Sequence, residues 1–390
     1  MINSDDIPLS LYIHIPWCEK KCPYCDFNSH ENQQFFDEIR YVKKLLEDLD
    51  DDINNFQHSL NRSIQSIFIG GGTPSLFSST SFKTLLAELS LRLDIDQAEI
   101  TLEANPNSSE QSQFVGYREA GINRLSIGTQ SYHNELLKRI GRVHDSSDAI
   151  GAAKSAKSAG FENFNLDIMF ALPRQNLQEV VDDIKQAISF SPQHISCYQL
   201  TIEPNTLFHQ QRPKLPSNET AWKMQAALQN ELSKAGYDQY EVSAYAQTSS
   251  QCQHNLNYWQ FGDYLAIGAG AHGKMTTQTG EIYRFWKQKQ PKQYLMATSI
   301  DQRRGGISTI KQEDLAFEFM LNALRLKNGF ELSWFTERTG LHENQIEAVV
   351  QKNIDLQLLT KTDGRIMPTE RGFQLIDSIL NDFLPEKTSQ

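Results

Sequence analysis

Three cysteines within eight residues place the strongest constraint on what this chain can fold into. Cys18, Cys22 and Cys25 have the spacing Cys-x3-Cys-x2-Cys, and they follow an apolar, strand-like run at 11–15. Thiolates are soft ligands, and iron–sulfur clusters are held by such thiolates. Three ligands for a four-iron cluster would leave one iron that a small molecule can chelate. The triplet therefore predicts a cluster site at the end of a strand.

Two other kinds of cysteine site fit this spacing less well. A structural zinc site usually has four protein ligands, often in C-x2-C pairs. Here only Cys197 and Cys252 remain, far apart in sequence, so zinc would need the triplet plus a distant Cys or His. A disulfide framework is disfavoured, because five cysteines in 390 residues are few and one would stay unpaired. Zinc thus remains an alternative to the cluster.

Composition narrows the class of protein. The chain is 39% hydrophobic and 22% charged, which is typical of a soluble globular protein. Its apolar runs are far shorter than the roughly 20 residues of a membrane span, and its first residues lack the basic and apolar regions of a signal peptide. We therefore expect a cytoplasmic protein whose cysteines stay reduced. A net charge of −11 argues against general nucleic-acid binding.

Short apolar runs alternate with longer amphipathic stretches over the first 290 residues. The predicted strands are 9–15, 66–70, 99–103, 124–128, 165–170 and 194–200, with a further strand at 240–245. The predicted helices between them are 35–49, 79–93, 109–120, 147–159 and 177–189. Strands that alternate with helices form a parallel sheet with right-handed crossovers. The predicted fold is α/β, a partial (β/α)6 barrel similar to a TIM barrel.

Polar or glycine-rich segments follow each of the six main predicted strands. In a barrel of this kind the active site lies at the carboxyl ends of the strands. We therefore expect one site, assembled around one rim. After the cysteines, the segments concerned are Gly70–Ser75, Glu103–Pro106, Gly128–Ser131, Asp167–Pro173 and Thr201–Pro204.

A second pattern begins after a predicted domain boundary at 290–310. Helices are predicted at 313–326, 332–339, 344–352 and 370–381, with a hairpin at 358–367 whose turn is Asp363-Gly364. This order resembles a small winged-helix-like α+β domain, which we place at 305–385, after a barrel domain at 1–290. Winged helices often bind DNA, but the acidic net charge favours a structural or partner-binding role.

The order of motifs resembles one known family. Tyr12-x-His14-x-Pro16 leads into the cysteine triplet, and a Gly-Gly-Thr-Pro element follows at 71–74. Together these resemble the radical S-adenosylmethionine (radical SAM) superfamily. Within it, the chain is most similar to the branch of oxygen-independent coproporphyrinogen III oxidase and the heme chaperone HemW. The resemblance covers most of the chain, through motifs at 11–26, 70–75, 103–106, 123–131 and 165–175 and the C-terminal domain.

The resemblance implies a [4Fe–4S] cluster on the three cysteines, with S-adenosylmethionine on the fourth iron. Gly71 and Gly72 lack side chains and would let the backbone approach the methionine part of the cofactor, next to Thr73. Glycines here could instead serve only a tight turn, and the other residues could be capping, ion-pair or surface residues. The further implied contacts are Tyr12, Glu103 to the ammonium, Gln130 and Asp167 to the ribose, and Arg142 to the carboxylate.

Two departures separate the chain from the oxidase. Phe27 stands where the oxidase has an additional cysteine, and only 17 residues precede Cys18, where the oxidase has a long extension. The run 254–259 matches an H-N-x-x-Y-W motif associated with heme in HemW, because imidazole ligates heme iron and aromatic rings stack on porphyrins. The alternative to a heme contact is that the run 254–259 forms a packed loop. His14 and His272 are left unassigned. The implied heme contacts are His254, Asn255, Tyr258 and Trp259.

The function implied by the resemblance is that of a heme chaperone without oxidase activity. It would bind heme and transfer it to an acceptor protein, membrane-associated or free, and a homodimer is one oligomeric state left open. The alternative is an enzyme that cleaves S-adenosylmethionine to a 5′-deoxyadenosyl radical. Its specific form is the oxidative decarboxylation of coproporphyrinogen III to protoporphyrinogen IX. A zinc-dependent regulator that binds DNA is a third, minor hypothesis.

Overall fold

The computed structural model describes residues 2–31 and 37–385. Its strands are β1 (Leu9–Ile15), β2 (Trp17–Cys18), β3 (His30–Glu31), β4 (Ile64–Gly71), β5 (Glu99–Ala104), β6 (Arg124–Gln130), β7 (Asn163–Phe170), β8 (His194–Gln199), β9 (Asp238–Glu241), β10 (Ala244–Ala246), β11 (Asp263–Ile267), β12 (His272–Thr276), β13 (Ile282–Lys287), β14 (Arg304–Thr309), β15 (Phe330–Glu331), β16 (Leu359–Thr362) and β17 (Arg365–Pro368).

The helices of the described residues lie mostly between these strands. They are α1 (Glu38–Phe56), α2 (Ser79–Ser90), α3 (Ser108–Gln111), α4 (Phe114–Ala120), α5 (Asn134–Arg139), α6 (Ser146–Ser158), α7 (Leu177–Ser189), α8 (Leu207–Gln211), α9 (Asn218–Lys234), α10 (Gln253–Trp259), α11 (Pro291–Met296), α12 (Ile300–Arg303), α13 (Leu315–Ala323), α14 (Leu332–Thr339), α15 (Asn344–Asp355), α16 (Glu370–Gln374) and α17 (Ile376–Asn381). None of them is both long and apolar enough to cross a membrane.

One large sheet organises the molecule. Its twelve strands run in the order β14-β13-β12-β11-β1-β4-β5-β6-β7-β8-β10-β9. Strands β1, β4, β5, β6, β7 and β8 are parallel neighbours, and β11 lies parallel to β1 on its other side. The six main predicted strands are all present, each with its ends within two residues of the prediction. The predicted α/β partial barrel is therefore confirmed.

Local sequence explains where several helices begin and end. Gly121 takes a left-handed conformation with φ 110° and caps α4, which a glycine adopts readily because it has no side chain. Asn176 and Glu179 form a capping box that begins α7. These signals place the helices of each β/α unit at fixed distances from the strand ends that carry the site.

The two faces of the parallel sheet differ in polarity. Alternate residues such as Leu11 and Ile67 are fully buried in the core shared with the outer helices. The residues between them are polar, and the hydroxyls of Ser10 and Ser66 lie 2.8 Å apart on the inner face. Because strand side chains alternate between faces, the barrel interior receives the polar set. A second core joins the N-terminal Ile2 to the C-terminal domain.

Several predicted elements differ from the observed ones. The single strand predicted at 240–245 is the hairpin β9–β10, and the helix predicted at 370–381 is split into α16 and α17. The stretch 290–310, predicted as a boundary, contributes β14, which pairs with β13. The large sheet therefore continues to Thr309. This is beyond residue 290, where the barrel domain was predicted to end, and beyond residue 305, where the C-terminal domain was predicted to begin. The C-terminal hairpin β16–β17 is present and is joined by β15.

Candidate functional site

A cavity of about 380 Å³ lies at the carboxyl ends of the parallel strands. It is where the barrel rule places an active site. Every predicted cluster and S-adenosylmethionine residue except Tyr12 lines it: Cys18, Cys22, Cys25, Gly71, Gly72, Thr73, Glu103, Gln130, Arg142 and Asp167. Residues more than 140 positions apart in sequence thus meet around one space.

Tyr12 supports the cluster loop from behind the cavity. Its hydroxyl lies 2.9 Å from Nδ1 of His14, and His14 Nε2 lies 2.9 Å from the backbone carbonyl of Asn28. Burial lowers the pKa of His14 to about 4, so the ring is neutral at pH 7. A neutral ring that donates from Nε2 to the carbonyl accepts from the Tyr12 hydroxyl at Nδ1. In this structure the Tyr12 hydroxyl thus meets His14, and its predicted contact with the cofactor stays a prediction.

The glycine-rich loop after β4 packs tightly against the start of the cluster loop. The Thr73 amide donates to the carbonyl of Trp17 at 2.7 Å. A Cβ atom on Gly72 would overlap that same carbonyl. Glycine is needed here because two backbones lie in contact. The loop thus holds the cysteine triplet against the rim of the barrel.

Two carboxylates share the cavity without a salt bridge to any described cationic side chain. Glu103 accepts from the Gly71 amide at 3.0 Å, and burial together with nearby Asp167 raises the pKa of Glu103 to about 7. Asp167 accepts from the Ser126 hydroxyl and the Asn165 amide, both at 2.9 Å. Burial raises the pKa of Asp167 as well. Two half-buried acids, neither in a salt bridge with a described cationic side chain, favour a positively charged ligand.

Arg142 connects the cluster loop to the strand ends. Its Nη2 donates to Asn105 Oδ1 at 2.7 Å and to the Gly128 carbonyl at 2.9 Å, and its Nη1 lies 3.6 Å from the Cys22 sulfur. Its Nε is buried and has no hydrogen-bond partner among the described residues. Asn105 also donates to Thr73 Oγ1 at 3.0 Å. The site-residue prediction omitted Asn105, although it lies in the predicted strand-end segment Glu103–Pro106.

The three cysteines line the same cavity but are not arranged around a single point. No three or more His, Cys, Asp or Glu side chains of the described residues are arranged to hold one ion. A cubane cluster instead offers separate irons, each taking one thiolate. Burial raises the pKa of the Cys18 thiol to about 11 and also raises that of Cys25. These thiols therefore need a bound metal to ionise at pH 7.

The motif predicted to bind heme lies away from this cavity. It forms α10, and His254 is only 2% exposed. His254 Nδ1 lies 3.0 Å from Ser66 Oγ, and its Nε2 lies 2.9 Å from the Tyr258 hydroxyl. Burial lowers the pKa of His254 to about 3. Both ring nitrogens of His254 are therefore hydrogen-bonded within the protein, and its role as a heme contact stays a prediction.

The other motif residues pack in the same way. The Asn255 amide donates to the Tyr240 hydroxyl at 3.3 Å, and the Arg325 guanidinium lies 4.1 Å from the ring of Trp259. Arg325 in turn pairs with Glu241 at 3.2 Å. These contacts connect the base of the barrel to the C-terminal domain. The alternative of a packed segment, left open by the sequence, describes what the structure shows.

Comparison with known proteins decides the family. The radical SAM superfamily matches residues 12–187, and the HemN C-terminal domain matches residues 310–375. The heme chaperone HemW of Haemophilus influenzae is 47% identical over 386 residues, which cover 97% of this chain and 99% of the relative. The chain belongs to the HemW family. HemW of Escherichia coli is 46% identical and HemW of Bacillus subtilis 32%, each with 97% of this chain and 99% of the relative covered.

The fold has a solved counterpart outside the HemW proteins. Coproporphyrinogen III oxidase (HemN) from Escherichia coli, described as a radical SAM enzyme, superposes with a TM-score of 0.80. The two chains are 21% identical, with 97% of this chain and 90% of the oxidase covered. This likeness establishes the shared fold. The predicted membership of the radical SAM superfamily and its HemW branch is confirmed.

Proposed function

We propose that this chain is a cytoplasmic heme chaperone, which binds heme and transfers it to an acceptor protein. The observation that carries the proposal is 47% identity to a heme chaperone over nearly the whole of both chains. Phe27 supports it further: this side chain lines the cavity and is 59% exposed. The oxidase relative has a cysteine at that position, and a phenyl ring cannot replace a thiol in redox or proton chemistry.

The cavity residues would hold the two cofactors of the family. Cys18, Cys22 and Cys25 would bind a [4Fe–4S] cluster, whose fourth iron would take the amino and carboxylate groups of S-adenosylmethionine. When bound, this pair can supply one-electron chemistry. Glu103 would accept a hydrogen bond from the amino group and Asp167 from a ribose hydroxyl, and their negative charge suits a cofactor with a cationic sulfonium. Arg142 Nε has no hydrogen-bond partner among the described residues and would donate to the carboxylate of S-adenosylmethionine. Gln130 would contact the ribose.

Heme binding and transfer test the proposal directly. Anaerobically prepared protein is titrated with hemin while the Soret band is followed, and an apo-hemoprotein acceptor is then added. We expect saturable binding and transfer to the acceptor at a rate above that of free hemin. Absence of a saturable Soret change in the wild-type chain would refute the chaperone function. Iron and sulfide analysis of the same sample checks the cluster, with about four of each per chain expected.

The second candidate function is that of the oxidase. The cavity is lined by all the predicted cluster and S-adenosylmethionine residues except Tyr12, and the fold is that of the oxidase. Incubation with coproporphyrinogen III, S-adenosylmethionine and a low-potential reductant under anaerobic conditions distinguishes the two. We expect no protoporphyrinogen. Turnover above the level of a Cys22→Ser control would favour the oxidase instead.

A further inference from the structure

A continuous chain of hydrogen-bonded side chains runs through the barrel interior from helix α10 to the cofactor cavity. At the cavity end, the Asn165 amide donates to Asp167 Oδ1 at 2.9 Å. Asn165 Oδ1 lies 2.7 Å from Nδ1 of His194, and Nε2 of that ring lies 2.9 Å from the Tyr240 hydroxyl. The same hydroxyl accepts from the Asn255 amide at 3.3 Å. The chain therefore joins a cavity residue to the H-N-x-x-Y-W motif.

The strand register brings these side chains together. Asn165 and Asp167 are two positions apart on β7, so their side chains share a face of the sheet. His194 of β8 pairs directly with Asn165. Asn165, His194 and Tyr240 are all buried, and buried polar groups need hydrogen-bond partners. The chain supplies partners for all three, so a change at one member leaves its neighbour unsatisfied.

The direction of each hydrogen bond is fixed by chemistry. An ionised Asp167 only accepts, so Asn165 presents its amide nitrogen to the carboxylate and its oxygen to His194. That oxygen also only accepts, so Nδ1 of His194 carries the proton. Burial, followed by the nearby charge of Arg124, lowers the pKa of His194 well below its usual value. The ring is therefore neutral at pH 7, its Nε2 accepts from Tyr240, and every hydrogen bond points toward Asp167.

The Asp167 carboxylate is held at both of its oxygens. Oδ1 accepts from Asn165, and Oδ2 accepts from the Ser126 hydroxyl at 2.9 Å. The Asn165 amide also donates to Ser126 Oγ at 2.8 Å, which ties the two donors together. Two fixed donors set the plane of the carboxylate. Because Asp167 lines the cavity, this plane also sets the direction in which its remaining lone pairs can accept from a ligand.

We propose that His194 and Tyr240 are positioning residues for Asp167, which hold its carboxylate in the orientation that accepts a ribose hydroxyl of S-adenosylmethionine. The inference rests on the cofactor binding proposed above. It adds two described residues that do not themselves line the cavity. Hydrogen bonds in a low-dielectric interior polarise one another, so a loss at Tyr240 reaches Asp167 through His194.

The two neighbouring polar residues of the H-N-x-x-Y-W motif separate on this basis. Asn255 donates to Tyr240 and so begins the chain that ends at Asp167. His254 is hydrogen-bonded to Ser66 and to Tyr258 instead. The motif thus contributes to the cofactor cavity from the far side of the barrel, through Asn255.

The test measures binding of S-adenosylmethionine to the full, cluster-loaded chain by anaerobic titration calorimetry, without reductant so that the cofactor stays intact. We expect His194→Leu to bind about tenfold more weakly, because the charge-assisted hydrogen bond at Asp167 loses its alignment. His194→Asn should bind within about twofold of wild type, since its amide nitrogen can replace Nδ1 as the donor to Asn165. Tyr240→Phe should also weaken binding. Tyr237→Phe is the matched control: it removes another buried hydroxyl, which donates to a backbone carbonyl at 2.6 Å, and should bind as wild type.

Two further measurements separate positioning from a general effect on folding. In an Asp167→Ala background, His194→Leu should cause no further loss of affinity, because it acts through that carboxylate. Nitrogen-15 chemical shifts of the histidines in the cluster-free chain report the tautomer. His194 should be protonated at Nδ1 in wild type and in Tyr237→Phe, and this fixed tautomer should be lost in Tyr240→Phe.

The outcomes distinguish this inference from the cofactor site itself. Wild-type affinity in both His194→Leu and Tyr240→Phe would overturn the positioning role while the cofactor site stands. An equal loss in His194→Leu with and without Asp167, or a wild-type His194 protonated at Nε2, would also overturn it. If His194→Leu does not fold, Tyr240→Phe, which keeps both rings, decides alone. A cluster-loaded wild-type chain that binds no S-adenosylmethionine would refute the cofactor site and this inference together.

Discussion

Glu103→Gln should make the cofactor-free protein more stable at alkaline pH. Burial and Asp167 raise the pKa of Glu103 from its ordinary value of 4.5 to about 7. The folded chain thus binds this proton more tightly than the unfolded chain, and stability falls as pH rises from about 4.5 to about 7. At about 1.4 kcal/mol per pKa unit, the ionised form costs about 3 kcal/mol. Because Glu103 borders an accessible cavity, water reduces the cost of its ionisation. We therefore expect Glu103→Gln to raise the free energy of unfolding at alkaline pH by about 1–2 kcal/mol.

Urea unfolding at two pH values measures the effect. At pH 5 the folded wild type carries a mostly neutral Glu103, so glutamine is a close mimic and the two proteins should differ little. At pH 8 the variant should be the more stable, since its amide oxygen can still accept from Gly71. Glu135→Gln is the exposed control and should show no comparable gain between pH 5 and pH 8. An equal difference at both pH values, or a less stable Glu103→Gln at pH 8, would refute the reasoning.

Three further predictions concern the cluster loop and a buried ion group. Gly72→Ala should lower iron incorporation, because its Cβ would overlap the Trp17 carbonyl; a normal iron content would contradict this. Cys22→Ser should lose most iron yet keep the circular dichroism of wild type, since it removes one cluster ligand. Asp263→Ala should destabilise the fold by at least about 3 kcal/mol in urea, because it leaves the buried Lys274 ammonium, now 2.9 Å from Asp263, without a counter-ion; a loss below about 1 kcal/mol would contradict this.

The cofactor cavity was predictable because its residues follow strands that the sequence marks by periodicity. Glu103 and Asp167 lie at or near the carboxyl ends of predicted strands, which the sequence marks by alternating or continuous apolar residues. Parallel strands bring their carboxyl ends to one rim of the barrel. Asn105 lies in the same strand-end segment and could have been added on position alone. The hydrogen bond between Tyr12 and His14 was not predictable, because periodicity carries no information on ring tautomers.

The packing of the H-N-x-x-Y-W run was not predictable from its spacing. His254 is held by Ser66, 188 positions earlier, and no local pattern reveals that a helix will pack against the inner face of the barrel. The pairing of His272 with Trp286 was equally out of reach, because only the antiparallel register places the two residues opposite each other. The extension of the sheet to β14 was also missed. Gly305 and Gly306 indicate a linker when only the neighbouring sequence is considered.

The inner face of the sheet carries two separate groups of side chains. Its parallel half ends in the cysteine loop, and its antiparallel half ends in His272. The two halves meet at β1, where His14 lies 2.9 Å from the Asn28 carbonyl, while the Asn28 side chain donates to Ala269, in the segment before β12. Asn28 therefore joins the cluster loop to the segment that leads into His272. A displacement of the cluster loop strains these hydrogen bonds and is transmitted to the segment before β12.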